Sequence, residues 1–316
     1  MVKHTSLVMS EFLLELYSEE IPPQLQITAR KELKEKIKNS LNEEGLKYKF
    51  VSSFSSPTRL TILIKDIVEK VKISSKEIKG PKVGVIDDIL SKFIRAHNVS
   101  KKDMYEKETD KGKFYFIKTK SKEILAKDLL VKIILNSIGS LSWRKSMKWA
   151  DKSLLWGRPL RNIFAIFNKK ILLFSFGHLK SSNSIIVEQD LITKYKKIIS
   201  FKEYQIFLKK NNIILDQDER ERKILKKFQL ICKSKNYREN FNKQLLEEVV
   251  NIVENPHVLL VDFNKDYLQI PQEIIISTLQ RHQRYFPLFD NKERLTNNFF
   301  VVANKNDSKN LIKNGN

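Results

Sequence analysis

Arg158 and Arg161 stand three residues apart just after Trp156, and Lys145 and Lys148 precede them among Trp143 and Trp149. Cations interleaved with aromatic rings can hold a phosphate backbone while the rings stack on unpaired bases, the chemistry of contact with single-stranded or distorted RNA. The same rings could instead anchor a core and leave the cations in solvent. All three tryptophans fall within 14 residues, and RNA or a protein partner would suit such a surface equally. His282 and Arg284 form a second group, in Gln280–Arg281–His282–Gln283–Arg284, where a helix end could present them to RNA or set positive charge on its dipole. Arg59, in Pro57–Thr58–Arg59–Leu60, would follow a tight turn, free to meet a phosphate or a neighbouring carboxylate. Arg59, Lys148, Arg158, Arg161, His282 and Arg284 are the candidate interaction set.

Other chemistries find less support. Glu19 and Glu20 are adjacent, so their side chains diverge, and at a strand-to-helix turn they suit capping better than paired acid–base work. Gly80, in Lys79–Gly80–Pro81, is too little for a phosphate cradle and reads as a turn. Of the five histidines, His4, His97, His178, His257 and His282, no two are three or four residues apart, so a helical metal pair is absent and no metal site is expected. The single cysteine, Cys232, excludes an intrachain disulfide and a thiolate zinc site, and it reads as a thiol on a helix in a reducing, cytoplasmic compartment. No nucleophile–base pair or nucleotide loop is visible, so a stand-alone hydrolase or nuclease would have no assignable residues.

The net charge of +22 predicts attraction to polyanions, RNA first. Only 12 of the 59 basic residues are Arg, however, and an A/T-rich genome would raise Lys, Ile and Asn without any nucleic-acid contact. No apolar run approaches the roughly 18 residues of a membrane span, and acids interrupt the N-terminal apolar stretch, so neither membrane insertion nor secretion is expected.

The elements that must position these residues alternate irregularly. Residues 11–17 predict a strand, then a helix to about Glu44 with Leu25, Ala29, Leu33, Ile37 and Leu41 on one stripe and Gly45 as its stop. Two strands follow around Ser55–Thr58. Residues 87–97 predict a helix, 104–108 and 113–120 a hairpin, 122–138 a helix, and 161–167 with 171–176 a hairpin. Helices are expected over 201–210, 216–235, 242–254 and 272–282. The charged run Asp218–Lys227 should be a solvated face. Strands 258–263, 285–289 and 298–304 complete an α+β chain of mixed small sheets and helices. The expected divisions are a disordered extension at 1–8, a strand–helix–strand–strand unit at 9–78, an α+β region with the Trp/Arg cluster at 79–199, and a helical α+β region at 200–316.

Short motifs run through these elements in a fixed order: SEEIPP at 18–23, PTRL at 57–60, KGP at 79–81, MKW at 147–149, WGRPLRN at 156–162, LLEEV at 245–249 and HQRYF at 282–286. Residues 95–97, FGHL at 176–179 and FFVVAN at 299–304 add to the series. In this order they resemble the amino-terminal part of the beta subunit of bacterial tetrameric glycyl-tRNA synthetase, from Met9 to the last residue. The resemblance implies a subunit that binds tRNA(Gly) and an alpha subunit in a tetramer of two alpha and two beta chains. It also implies that ATP and magnesium are handled on the alpha subunit, with no cofactor on this chain. Two departures stand out. The chain stops at Asn314–Gly315–Asn316, where the family continues into HD-like and anticodon-binding regions, so a truncated or split subunit is expected. After FGHL, Val187–Glu188–Gln189 replaces a common Gly-His-Arg. The alternative expectation is an RNA-binding remnant outside aminoacylation.

Overall fold

The structure, a computed structural model, describes residues 9–73, 77–118, 121–149, 154–189, 192–239 and 241–304. Strand β1 (Met9–Ser18) leads into helix α1 (Pro23–Glu43), then strands β2 (Phe50–Ser56) and β3 (Arg59–Val68). Pro22 and Pro23 open α1, where a missing N–H costs nothing, and Gly45, at φ +69°, turns the chain out of it. Residues 12–18 are buried without a break. The reason is topological: β1 is the central strand, paired antiparallel with β3 on one side and with a later strand on the other, and both of its faces are covered.

The chain then leaves this sheet and comes back. Strand β4 (Lys70–Ile73) starts the excursion, which holds β5 (Glu77–Lys82), helix α2 (Asp87–His97), β6 (Met104–Thr109) and β7 (Gly112–Lys118). Strand β8 (Lys122–Leu125) closes it by pairing back with β4, Lys70 opposite Leu125 and Val71 opposite Ile124. Residues 122–125, expected as the first turn of a helix, are therefore extended, and helix α3 begins only at Ala126 (Ala126–Gly139). A local reading of Ile124 and Leu125 cannot see a strand partner more than fifty residues away. The Lys79–Gly80–Pro81 motif, expected as a turn, lies inside β5. A Cβ on Gly80 would stand 2.9 Å from the Phe93 ring of α2 and 3.0 Å from the Tyr115 carbonyl, so glycine lets the helix pack close.

After β9 (Met147–Trp149) and β10 (Leu154–Trp156), strand β11 (Leu160–Phe167) enters the first sheet beside β1. Short strands β12 (Lys170–Ile171), β13 (Ser175–Phe176) and β14 (Leu179–Ser182) extend it to the order β13-β14-β11-β1-β3-β2, with β12 on β11 and only β11–β14 parallel. One face carries Phe12, Leu14 and Leu16 against α1 and α3. The other carries Leu13, Leu63 and Phe164 against the hairpin β15 (Ser184–Gln189) and β16 (Ile192–Lys197) and against helix α4 (Phe201–Lys210). The hairpin was not foreseen, since β16 reads ITKYKK and shows no apolar alternation.

Helices α5 (Gln217–Lys235) and α6 (Lys243–Val250) then pack on a three-stranded sheet, β17 (His257–Asp262), β18 (Phe286–Phe289) and β19 (Leu295–Ala303), in the order β17-β19-β18. The helix expected over 272–282 is broken: α7 (Gln272–Ser277) passes into a π-turn over Thr278–Gln283, which Arg284 ends at φ 57°. Cys232 lies buried in this third core, and burial pushes its thiol up to about 11. The fold is α+β. Residues 1–8 and 305–316 lie outside the described residues.

Phe228 is fully buried, its ring 4.4 Å from Phe300, 4.7 Å from Phe241 and 4.9 Å from Phe286. Phe228→Ala should cost about 3–5 kcal/mol. Hydrogen exchange should show the loss of protection centred on residues 217–304, with the seven-stranded sheet less affected.

A candidate interaction groove

Three of the ordered motifs, far apart in the chain, meet at one place. The Ser18 N–H donates to the Thr58 carbonyl at 2.9 Å, Ile21 to Pro57 at 2.7 Å, and Glu19 to Pro159 at 3.0 Å. SEEIPP is thus stitched to PTRL on one side and to WGRPLRN on the other. The segments line a groove of 620 Å³ with Tyr17, Arg158, Arg161, Glu188 and Asn251–Ile252. Glu19 and Glu20, expected as helix caps, make no cap. Pro22 holds the N-cap position without a side-chain bond, and both carboxylates are exposed on the groove wall.

The groove stands on a buried polar network. Residues of β1 alternate, so Leu13, Glu15 and Tyr17 share the face that meets α4 and β15. Glu15 is fully buried and Arg59 is 1% exposed, with Arg59 Nε 3.1 Å from Glu15 Oε2, close enough for an ion pair though not aligned for a hydrogen bond. Tyr204 of α4 donates its hydroxyl to the same Glu15 oxygen. Arg59 Nη2 donates to the Ile186 carbonyl of β15, and Nη1 to Thr58 Oγ1 at 2.6 Å and Glu254 Oε1 at 3.3 Å. Burial pushes the Glu15 carboxyl up, with Arg59 opposing, and burial beside Glu15 pushes the Tyr204 phenol well up, keeping it a neutral donor. Of the two roles open to Arg59, the carboxylate contact is the one made; its guanidinium does not reach solvent.

Above this floor lies a second, more exposed set. Arg161 donates from both terminal nitrogens to Glu188, at 2.6 and 2.8 Å, and the Tyr17 hydroxyl adds a third bond at 3.0 Å. Two guanidiniums lie over the Tyr17 ring, that of Arg59 4.7 Å and that of Arg161 5.9 Å from its centroid. Burial works against the Glu188 charge, but the bonds from Arg161 and Tyr17 outweigh it and hold the carboxyl below its usual range. The pair is therefore intact at neutral pH and opens only as pH falls through that lowered value. The departure Val187–Glu188–Gln189 has a structural meaning here: Val187 is buried in the second core, and Glu188 occupies Arg161. The Gln189 side chain lies outside the described residues.

Trp143 and Trp156 answer to the core reading. Trp156 is 1% exposed, with its ring 4.8 Å from Trp143 and 6.1 Å from Phe176 of the FGHL motif. Gly157 is glycine because a Cβ there would overlap the Trp143 ring. The Trp149 side chain lies outside the described residues. Arg158 is half-buried in the groove wall and Lys148 is exposed on β9, outside the lining. Of the six candidates, only Arg158 and Arg161 share the groove. Arg284 sits on the third core's surface, where its Nε donates to Glu248 Oε1 at 2.9 Å and joins HQRYF to LLEEV; His282 is exposed beside it.

Arg220 was not foreseen. The charged run of α5, expected as a solvated face, hides a fully buried guanidinium that donates to the carbonyls of Val250 (2.9 Å), Ile214 (2.7 Å), Leu215 (2.9 Å) and Ser55 (2.8 Å). Burial lowers it to about 10. The signal was its position: residues 220, 224, 228 and 232 recur every four along one buried stripe. Arg30 and Gln26 of α1 continue this seam. Arg30 donates to Ser55 Oγ (2.6 Å) and Asn251 Oδ1 (3.3 Å), and Gln26 to the Ile21 (2.7 Å) and Asn251 (2.8 Å) carbonyls. Among the described residues there is no group of three His, Cys, Asp or Glu placed to hold a metal ion, and no helix long and apolar enough to cross a membrane.

Comparison with known proteins gives this arrangement a context. A family model described as glycyl-tRNA synthetase beta subunit matches residues 12–316. The glycine–tRNA ligase beta subunit of Rickettsia felis is 35% identical over 298 residues, 94% of this chain and 45% of that protein. Those of Rickettsia prowazekii and Rickettsia akari are 36% and 35% identical over the same share of this chain. The chain thus spans about half the length of the relatives it matches.

Breaking one side of a buried ion pair leaves a charge without its partner. Glu15→Gln and Arg59→Met should each lower stability by about 3–5 kcal/mol in urea denaturation. The double variant should fall short of the sum by more than about 1 kcal/mol. Simple additivity would show that the two groups are not coupled.

Proposed function

Because this chain belongs to the glycyl-tRNA synthetase beta subunit family, we propose that it supports the ATP-dependent attachment of glycine to tRNA(Gly) by binding the tRNA and an alpha subunit. The observation that carries this reading is the convergence of SEEIPP, PTRL and WGRPLRN on one groove. Residues that mark the family by sequence order alone come together as a built surface feature, stiffened from below by Arg59. Such a surface suits recognition better than bond-making, since Arg161 and Glu188 engage each other and no lining residue is set as a nucleophile beside a base. The reaction is expected on the alpha subunit, with ATP and magnesium held there, in a cytoplasmic assembly of two alpha and two beta chains.

Within the groove, Arg158 and Arg161 supply positive charge, and Arg161 is tied back by Glu188. That tie favours a second reading, an RNA-binding protein that no longer takes part in aminoacylation. Glycine charging in the presence of alpha subunit separates the two.

Mixed with a bacterial alpha subunit and tRNA(Gly), the chain should co-elute with the first, retard the second and raise glycine charging. Loss of both associations would remove the reading; RNA binding without charging would favour the remnant. Arg158→Ala with Arg161→Ala should weaken tRNA binding and flatten its log–log salt dependence by about one, the Arg158 contact, because Glu188 already occupies Arg161. Loss of alpha-subunit binding alone would assign the groove to the protein partner. Glu188→Ala frees the Arg161 guanidinium and should strengthen tRNA binding, steepening that dependence by about one.

A further inference from the structure

A second surface lies beyond the groove, on the outer strand of the β15–β16 hairpin. All six residues of β16 are exposed, including Ile192 at 59% and Tyr195 at 69%. Among the described residues the strand is held from one side only: β16 pairs with β15 alone, and β15 anchors the hairpin by burying Ile185 and Val187 in the second core. Register then sorts its side chains. Lys194 and Lys196, opposite Val187 and Ile185, lie on the α4 side, where Lys194 donates to Asn211 at 2.8 Å and Lys196 stands 3.9 Å from Glu203. They line a groove of 560 Å³ with Ile206 and Lys210 of α4. Tyr195 and Lys197, opposite Ile186 and Ser184, lie on the other side. Cations therefore straddle the free edge, and Glu203 is the one carboxylate in that groove's lining.

We propose that the free edge of β16, with the facing side of α4, binds single-stranded RNA, Tyr195 serving as the ring on which an unpaired base stacks. An extended polyanion laid along the edge would meet lysines from both faces, and the edge N–H groups can donate to phosphate oxygens. A duplex keeps its bases stacked inside, out of reach of a projecting ring, so the ring selects for unpaired nucleotides. A protein partner fits less well, because interface centres are depleted in lysine, and here Lys197 shares the face of the exposed ring while Lys194 and Lys196 lie on the other side of the same strand. The surface also connects with the groove: Ile186, whose carbonyl accepts from Arg59, is the residue paired with Tyr195, and Thr193 is paired with Glu188.

This inference rests on the RNA reading above and adds the place of contact, and one titration separates the two. The probe is a fluorescein-labelled oligouridine of about 12 nucleotides, within the roughly 4–16 that one small module covers, with a duplex RNA of the same length as control. Anisotropy is followed across a salt series with the whole chain. Tyr195→Ala should weaken oligouridine binding about tenfold to a hundredfold and leave the duplex unaffected, whereas Tyr195→Phe should restore most of the affinity. Lys197→Ala and Lys196→Ala should each flatten the log–log salt dependence by about 0.7. These side chains are solvent-exposed, and circular dichroism should confirm that the variants fold as the parent does. If the parent binds RNA and every variant binds equally, the surface is wrong and the RNA reading stands. If the parent binds neither RNA, this surface falls, and the wider reading is decided by the tRNA(Gly) and alpha-subunit assays. If the lysine variants keep their RNA affinity but dimerise in sedimentation velocity, the edge lysines are guards against strand pairing and the proposal is overturned. Dextran sulfate displacing the oligouridine no less well from the parent than from Tyr195→Ala, with equal affinities for both, would reduce the contact to charge alone and would also overturn it.

Discussion

Arg59 is buried where the seven-stranded sheet, the β15–β16 hairpin, α4 and the chain after α6 come together, and the desolvation of its charge sets terms for everything around it. A guanidinium removed from water must have opposite charge and acceptors close by, or the fold loses several kcal/mol. Here each acceptor comes from a different part of the chain: Glu15 from β1, Thr58 from the preceding turn, the Ile186 carbonyl from β15 and Glu254 from beyond α6. Moving any one of these elements leaves a donor or a charge unmet. Desolvation offsets much of a buried ion pair's net stability, so what this one contributes here is chiefly the fixed meeting of these four elements. Glu15 Oε1 has no hydrogen-bond partner among the described residues, a cost consistent with a network kept for what it positions.

Arg220 does for the third core what Arg59 does for the groove. Its donors end on four backbone carbonyls, one of them Ser55 at the rim of the first sheet, so α5 is oriented against β2 by hydrogen bonds that require one arrangement. Asn251 closes the same seam from the end of α6, accepting from Arg30 and Gln26 of α1. Apolar contact alone tolerates sliding between packed elements, whereas directional bonds to buried carbonyls do not. The groove draws its walls from both sides of this seam, from Tyr17–Pro23 and from Asn251–Ile252, so its shape depends on the clamp.

Much of the fold was legible where burial is one-sided. Helix α1 shows its stripe of Ala29, Leu33, Ile37 and Leu41, and α2, α4 and α5 likewise have boundaries within a residue or two of expectation. Legibility failed where a partner lies far along the chain. Residues 122–125 have helical spacing but pair with β4. β16 has no apolar face because only its neighbour β15 is anchored. The π-turn at 278–283 interrupts a sound helical pattern so that Arg284 can reach Glu248. The candidate site divided in the same way. Arg158 and Arg161 came from composition and spacing, but Tyr17, Glu188 and Asn251 carry no local mark of the groove they share.

The sequence by itself determined which residues are apolar at helical or strand spacing, which turns need glycine or proline, and the order of motifs that marks the family. Those properties depend on neighbours within a few positions. Tertiary structure decided which charges face water. Arg59 and Arg158 look alike in the chain, each beside a turn proline, yet one is sealed under Tyr17 against Glu15 and the other stands in the groove wall. The difference lies in what the folded chain brings over them. The energy of a charge is set by the water removed and the partners supplied, and for Arg59 the carboxylates of Glu15 and Glu254 and the Ile186 carbonyl all come from residues more than forty positions away.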